Sequence, residues 1–178
     1  MASEAPRVHS VHIYDEDSAL ITRLCGIVAS SLRVGNAVVI VATSPHRDDL
    51  VKDLSAVGID VRSHAREGRF TMLDARELLS TFMVNTLPDR ERFLMSVGTA
   101  LEDARRKACS PGRGLTVFGE MVSVLWDEGN KSGAMQLEYL WNDALQERAF
   151  HLHCAYPRAG FTSGEEVAIC SAHSHVLQ

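Results

Sequence analysis

The sequence lacks a glycine-rich phosphate loop where an α/β nucleotide binder needs one. Its first strand-like run, residues 10–14, leads straight into Asp15-Glu16-Asp17-Ser18. A phosphate loop needs glycines there, because its backbone N–H groups must cradle the phosphates. Asn130-Lys131-Ser132-Gly133 has the look of a loop fragment, but it follows a helical stretch and lacks the first glycine at the required spacing. No G-x-S-x-G turn is present, which leaves Ser/His/Asp hydrolysis unsupported. The four cysteines, Cys25, Cys109, Cys154 and Cys170, form no C-x-x-C pair. They read as reduced thiols of a cytoplasmic protein and not as a disulfide frame. No run reaches the ~20 apolar residues that span a bilayer, and the polar stretch 1–7 carries no secretory h-region. There is no basic excess either: the net charge of -5 argues against a general nucleic-acid binder. Arg105-Arg106-Lys107, the one local basic cluster, reads as a solvated helix face. Internal repeats and low-complexity segments are absent.

What is present fits one soluble domain over residues 1–178, with 46% apolar and 23% charged residues. Residues 8–14 alternate as a strand, with Val11 and Ile13 on one face and His12 and Tyr14 on the other. Asp15 or Asp17 is placed to cap a helix whose apolar stripe runs from Leu20 to Leu32, ended by Gly35-Asn36. Residues 37–42 are apolar on both faces, as a central parallel strand should be. Pro45 opens a helix that Gly58 stops. Further strands are expected at 59–61, 70–74, 115–118 and 149–155. Helices are expected at 75–82, 90–109, 121–128, 132–147 and 165–176, with loops at 85–88 and 110–114. Strands and helices thus alternate almost throughout, implying a three-layer α/β/α fold on a mainly parallel sheet.

In such a sheet the C-terminal strand ends lie along one edge, where ligands bind. Those ends supply Tyr14 and Asp15, Thr43 and Ser44, Asp74, Gly119 and Glu120, and Tyr156. Asp15, Ser44 and Asp74 sit where helix caps belong. Glu120 follows a buried-looking strand and needs a partner or ligand to offset its desolvation; Arg23, Arg47 and the Tyr14 phenol are the candidates. Glu138 lies among large apolar neighbours, so it is either partly buried or a solvent-facing acid. Trp126 and Trp141 read as core or interface, and Cys154 as an inert small core residue. Eight histidines raise the question of a metal. No C-x-x-C or H-x-x-x-H spacing supports one, so none is expected.

Several blocks in order resemble the MEDS domain, the methanogen/methylotroph sensory domain typified by the dichloromethane-responsive regulator. They are His9-x-x-x-x-Tyr14, then Gly35 with Val38-Val39-Ile40-Val41-Ala42-Thr43, and Gly119-Glu120-Met121 followed by Leu125-Trp126 and Gly129-Asn130. Leu137-Glu138-x-x-Trp141-Asn142, Cys154-Ala155-Tyr156-Pro157 and the late His173 complete the series, over about residues 9–175. Val11 departs from it, standing where relatives often carry a cysteine. The resemblance implies a RecA/KaiC-like fold without the ATP-binding loop. It also implies a sensory role that feeds a signalling partner such as a histidine kinase, an anti-sigma factor or a helix-turn-helix module.

The expected function is a non-enzymatic cytoplasmic sensor of a small organic ligand, with no cofactor, no direct nucleic-acid or membrane contact, and a possible homodimer. Its expected ligand-binding residues are Tyr14, Glu120, Glu138 and Tyr156, with His9 and Thr43. No output module fits outside the match, so the signal is expected to pass to a separate protein unless the chain is one domain of a longer one. The terminal helix bearing His173 and His175 is the expected relay. The rivals are a degenerate RecA-like NTP binder or NTPase, with Glu120 positioning water or magnesium, and a ligand-free interaction module.

Overall fold

The computed structural model describes residues 7–107, 113–159 and 161–177. Cys109, residues 110–112 of the expected loop, and Gly160 lie outside the described residues. The first half of the chain runs β1 (Val8–Tyr14), α1 (Asp17–Arg33), β2 (Ala37–Ala42), α2 (Ser44–Ala56), α3 (Val61–Arg66), β3 (Phe70–Asp74) and α4 (Ala75–Phe82). A short hairpin, β4 (Met83–Val84) and β5 (Leu87–Pro88), precedes α5 (Arg90–Phe93), a π-helical turn (Leu94–Gly98) and α6 (Thr99–Lys107). The remainder is β6 (Leu115–Gly119), α7 (Met121–Asp127), α8 (Lys131–Glu147), β7 (His151–Pro157), α9 (Ser163–Ala172) and β8 (His175–Leu177).

The six-stranded sheet has the order β3-β2-β6-β7-β1-β8, and every pairing in it is parallel. Parallel strands need crossovers, and right-handed crossovers assign the helices to faces. The connections through α1, α2 and α3 move one way across the sheet, and those through α4 to α9 move the other way. Two cores result. Leu20, Leu24 and Val28 of α1 and Leu50 and Leu54 of α2 pack on Val38, Ile40 and Phe118. Phe82, Phe93, Met121, Leu137 and Trp141 pack on Val11, Val39, Val117 and Leu152. The three-layer architecture expected from the alternation is therefore observed. Every residue of β2 is buried, which explains its apolar run.

Several local expectations are corrected. The stretch 59–61 is not a strand: Asp60 accepts a hydrogen bond from the Ser63 N–H and caps α3 instead. The 85–88 loop is a hairpin, turned by Asn85 at φ 56°. Neither Asp15 nor Asp17 caps α1; Glu16 stands at that position without a side-chain cap. Gly35 does end α1, in the left-handed region at φ 85°. The largest correction is at the C-terminus. A capping box between Thr162 and Glu165 starts α9 two residues early, and the helix stops at Ala172. His175–Leu177 then leaves the helix and pairs with Ser10, Val11 and His12 as a sixth strand. Three residues are too few for periodicity to separate strand from helix. No helix among the described residues is long and apolar enough to cross a membrane.

Candidate functional site

The parallel register of β1 and β7 decides which side chains meet. Val11 lies beside Cys154 and Ile13 beside Tyr156. Side chains alternate along a strand, so His9, Cys154 and Tyr156 all face α8. On α8, Ala134, Glu138, Trp141 and Leu145 recur at helical spacing on the buried stripe. Glu138 is therefore carried into the core, fully buried, and is not a solvent-facing acid. Tyr156 Oη donates to Glu138 Oε1 at 2.6 Å. His9 Nε2 lies 3.3 Å from Glu138 Oε2 and 3.4 Å from Cys154 Sγ. His173, just past α9, places Nε2 3.4 Å from Glu138 Oε1, and its ring centroid sits 4.1 Å from that of His9. Burial works against ionisation of Glu138, but the adjacent His173 and His9 imidazoles outweigh it and hold the carboxyl down at about 2. Burial first, then Glu138, pushes the Cys154 thiol and the Tyr156 phenol well up. Both stay protonated unless something else displaces the proton.

A second polar site occupies the strand ends. Glu120 follows β6, and its carboxylate accepts the Thr43 N–H at 2.8 Å and the Thr43 hydroxyl at 3.2 Å. His46 Nδ1 lies 2.6 Å from Glu120 Oε1. These contacts tie the β6 end to the start of α2, at a point where the connections after β2 and β6 leave toward opposite faces. That is the crevice position of open α/β sheets. The partners of Glu120 are thus Thr43 and His46, not Arg23, Arg47 or the Tyr14 phenol. Arg47 pairs instead with Asp74, at 2.7 Å. Tyr14 faces the α1 side of the sheet, where burial and then the Glu120 charge raise its phenol above the ordinary range.

The six expected ligand residues therefore do not form one pocket. Thr43 and Glu120 meet at the strand ends. His9, Glu138 and Tyr156 meet inside the opposite core, and Tyr14 joins neither cluster by a hydrogen bond. None of the six lines the cleft of about 1010 Å³ that runs between α1 and the β1, β6 and β7 strands. Its walls include His12, His151, His153 and Thr116 from the sheet, and Thr22, Arg23 and Gly26 from α1. His153 Nδ1 lies within hydrogen-bond distance of Ser10 Oγ, at 2.6 Å, whereas His12 Nδ1 is buried without a hydrogen-bond partner. Burial, then His151 and His9, lower His153 to about 4; burial and Arg23 lower His12. Both imidazoles are neutral at pH 7.

A family model for the methanogen/methylotroph, DcmR sensory domain, MEDS, matches residues 8–174. The chain belongs to the MEDS family. No curated protein matches this MEDS domain in sequence. An uncharacterized protein from Pyrococcus horikoshii, with a crystal structure in complex with an unknown peptide, resembles it in fold. The TM-score is 0.69 at 14% identity, over 94% of this chain and 76% of the other. At that identity the likeness concerns the fold alone.

Sequence reading missed several participants of this MEDS domain. Cys154 is not an isolated core thiol, and His173 and Asn142 complete the buried cluster. His46 holds Glu120, and His12 and His153 line the cleft. Ser174 pins β1, its N–H and hydroxyl both reaching the His9 carbonyl at 2.8 Å. A usable signal existed for one pair: Glu138 and Asn142 are four apart on a helix and so share a face. The region 161–177 is packed into the fold: Ile169 is buried, His173 joins Glu138, and β8 completes the sheet.

Proposed function

We propose that this MEDS domain is a non-enzymatic sensor that takes up a small, weakly charged organic molecule in the α1 cleft and passes the event to a signalling or transcription partner. The family match supports the sensory role. The observation that carries the choice of site is His12, a residue of the cleft wall whose Nδ1 atom is buried and unpartnered. A buried polar atom without a partner costs about 1–3 kcal/mol, and a turn of the His12 ring that brings Nδ1 to a ligand recovers that. Neutral His12 and His153 offer hydrogen bonds without charge, and Glu16 and Arg23 on the rim are of opposite sign. The lining therefore favours an uncharged molecule with one or two polar atoms. A ligand wedged against α1 acts on a helix that packs on α2, which gives a route from cleft to surface by population shift.

Native mass spectrometry of the purified chain, followed by analysis of its denatured extract, tests this reading. A co-purified small molecule that disappears from a folded His12→Ala variant supports it. Loss from Glu120→Gln with retention in His12→Ala places the ligand at the strand ends instead. Micromolar, magnesium-dependent ATP binding overturns the reading in favour of a nucleotide protein. An empty protein that takes up no small molecule overturns it in favour of an interaction module.

A further inference from the structure

The cluster buried between β1, α8, β7 and the end of α9 contains more chemistry than packing requires. We propose that His9, Glu138, Cys154 and His173 form a four-coordinate site for a divalent transition metal of the zinc class. One ligand atom from each of the four lies within 4.8 Å of every other.

Hydrogen-bond bookkeeping fixes how the two imidazoles face. Asn142 Nδ2 donates to the Ala172 carbonyl at 3.1 Å, which orients the amide and turns Oδ1 toward His9 Nδ1, 2.8 Å away. An amide oxygen only accepts, so His9 Nδ1 carries the hydrogen. His173 Nδ1 faces the Ile169 carbonyl at 2.7 Å, and the same reasoning applies. Both rings thus donate outward from Nδ1 and present Nε2 to the cluster. His173 Nε2, on a fully buried side chain, has no hydrogen-bond partner there. Metal-ligating histidines show this pattern, the second ring nitrogen donating to a carbonyl or amide oxygen. Tyr156 supplies the equivalent outer contact for the carboxylate, bonding Oε1 while Oε2 faces His9 and Cys154.

The spacing fits a tetrahedron. Bonds of about 2.0–2.1 Å to nitrogen and oxygen and about 2.3 Å to sulfur give ligand-to-ligand edges of roughly 3.3–3.6 Å. Glu138 Oε2 lies 3.3 Å from His9 Nε2 and 3.8 Å from Cys154 Sγ, and His9 Nε2 lies 3.4 Å from Cys154 Sγ. His173 Nε2 is 3.4 Å from the other oxygen, Oε1, and a ligand atom from each of the four residues lies within 4.8 Å of the rest. Charge closes as well: two neutral imidazoles, a carboxylate and a thiolate balance a divalent ion, leaving no net charge in the core. Two nitrogens and a sulfur select against calcium and magnesium, which take oxygen ligands. A paired His–Glu–His cluster without metal is the competing account. It leaves the buried Cys154 thiol with only a long 3.8 Å contact to the carboxylate and His173 Nε2 with only a 3.4 Å ion-pair contact.

Four protein ligands leave no open position, so the site is structural. It staples the segment after α9 to β1 and α8. It lies on the opposite face of the sheet from the α1 cleft and is independent of the ligand reading.

The test uses the full chain, purified under reducing conditions. Expected is about one equivalent of metal per chain by elemental mass spectrometry. After chelation, cobalt(II) should restore one equivalent with a tetrahedral visible spectrum and a thiolate charge-transfer band. Cys154→Ser should lose that band and Cys170→Ser should keep it. Asn142→Ala, an outer contact that leaves all four ligands in place, should weaken metal affinity about 10–100-fold. Because Cys154→Ser can fail to fold, the wild-type titration stands alone as a test. Folded protein that retains neither zinc nor cobalt overturns the proposal. So does an octahedral cobalt spectrum, or a charge-transfer band that survives in Cys154→Ser.

Discussion

Replacing Glu120 with glutamine should destabilise the protein in a pH-dependent way. Glu120 is buried and accepts hydrogen bonds from the Thr43 backbone and hydroxyl and from His46. The hydrogen bond to Glu120 raises His46 from its ordinary 6.5 to about 8; burial opposes the rise, and the charges of Glu120 and Asp17 add to it. Such a rise is worth about 2 kcal/mol at most, and about 1–2 kcal/mol once screening in a partly open site is allowed for. A raised histidine stabilises the fold fully below its unfolded pKa and loses that contribution as pH rises through its folded pKa. The Glu120–His46 term is therefore complete below pH ~6.5 and gone above ~8. Glutamine can still accept from Thr43, so Glu120→Gln should cost about 1–2 kcal/mol at pH 6 and much less at pH 9.5. Urea unfolding followed through the buried Trp126 and Trp141 measures both values. Histidine NMR should show His46 titrating at or below its ordinary value in the variant. An equal loss at both pH values, or a wild-type His46 that titrates normally, refutes the reasoning.

Tyr156→Phe removes the hydroxyl that bonds the buried Glu138 carboxylate and should cost about 1.5–3 kcal/mol by urea unfolding. Trp141→Ala should cost about 3–5 kcal/mol in the same assay, because the indole is buried edge-on to Phe93 at 5.2 Å. Ending the chain after residue 174 strips β8 from β1, so calorimetry should show a lower Tm and gel filtration self-association through the bared edge.

Much of the scaffold was legible because its signals are local. The unbroken apolar run of β2 marks a central strand, and Asp74, at a cap position in the sequence, does cap α4. The chemistry was less legible because it depends on register. Nothing in the spacing of His9, Glu138, Cys154 and His173 indicates that they meet, since four separate elements bring them together. Glu138 was ambiguous because a carboxylate in an apolar stripe is rare, although its phase with Ala134 and Trp141 argued for burial. The alternation of His151, Cys154 and Tyr156 was visible. Which face met α8 and which met the cleft depended on pairing with β1. β8 was hidden by its length and by the helical pattern running into it.

A ligand of this domain enters between α1 and the sheet, against His12. Two-dimensional NMR of the full chain, titrated with a panel of small uncharged organic molecules, tests it most directly. Binding in the cleft should give saturable shifts at the His12 and His153 rings and at the Thr22 and Gly26 amides, with Glu120 and His46 unmoved. Saturable shifts centred on Glu120, Thr43 and His46, with His12 silent, would contradict it.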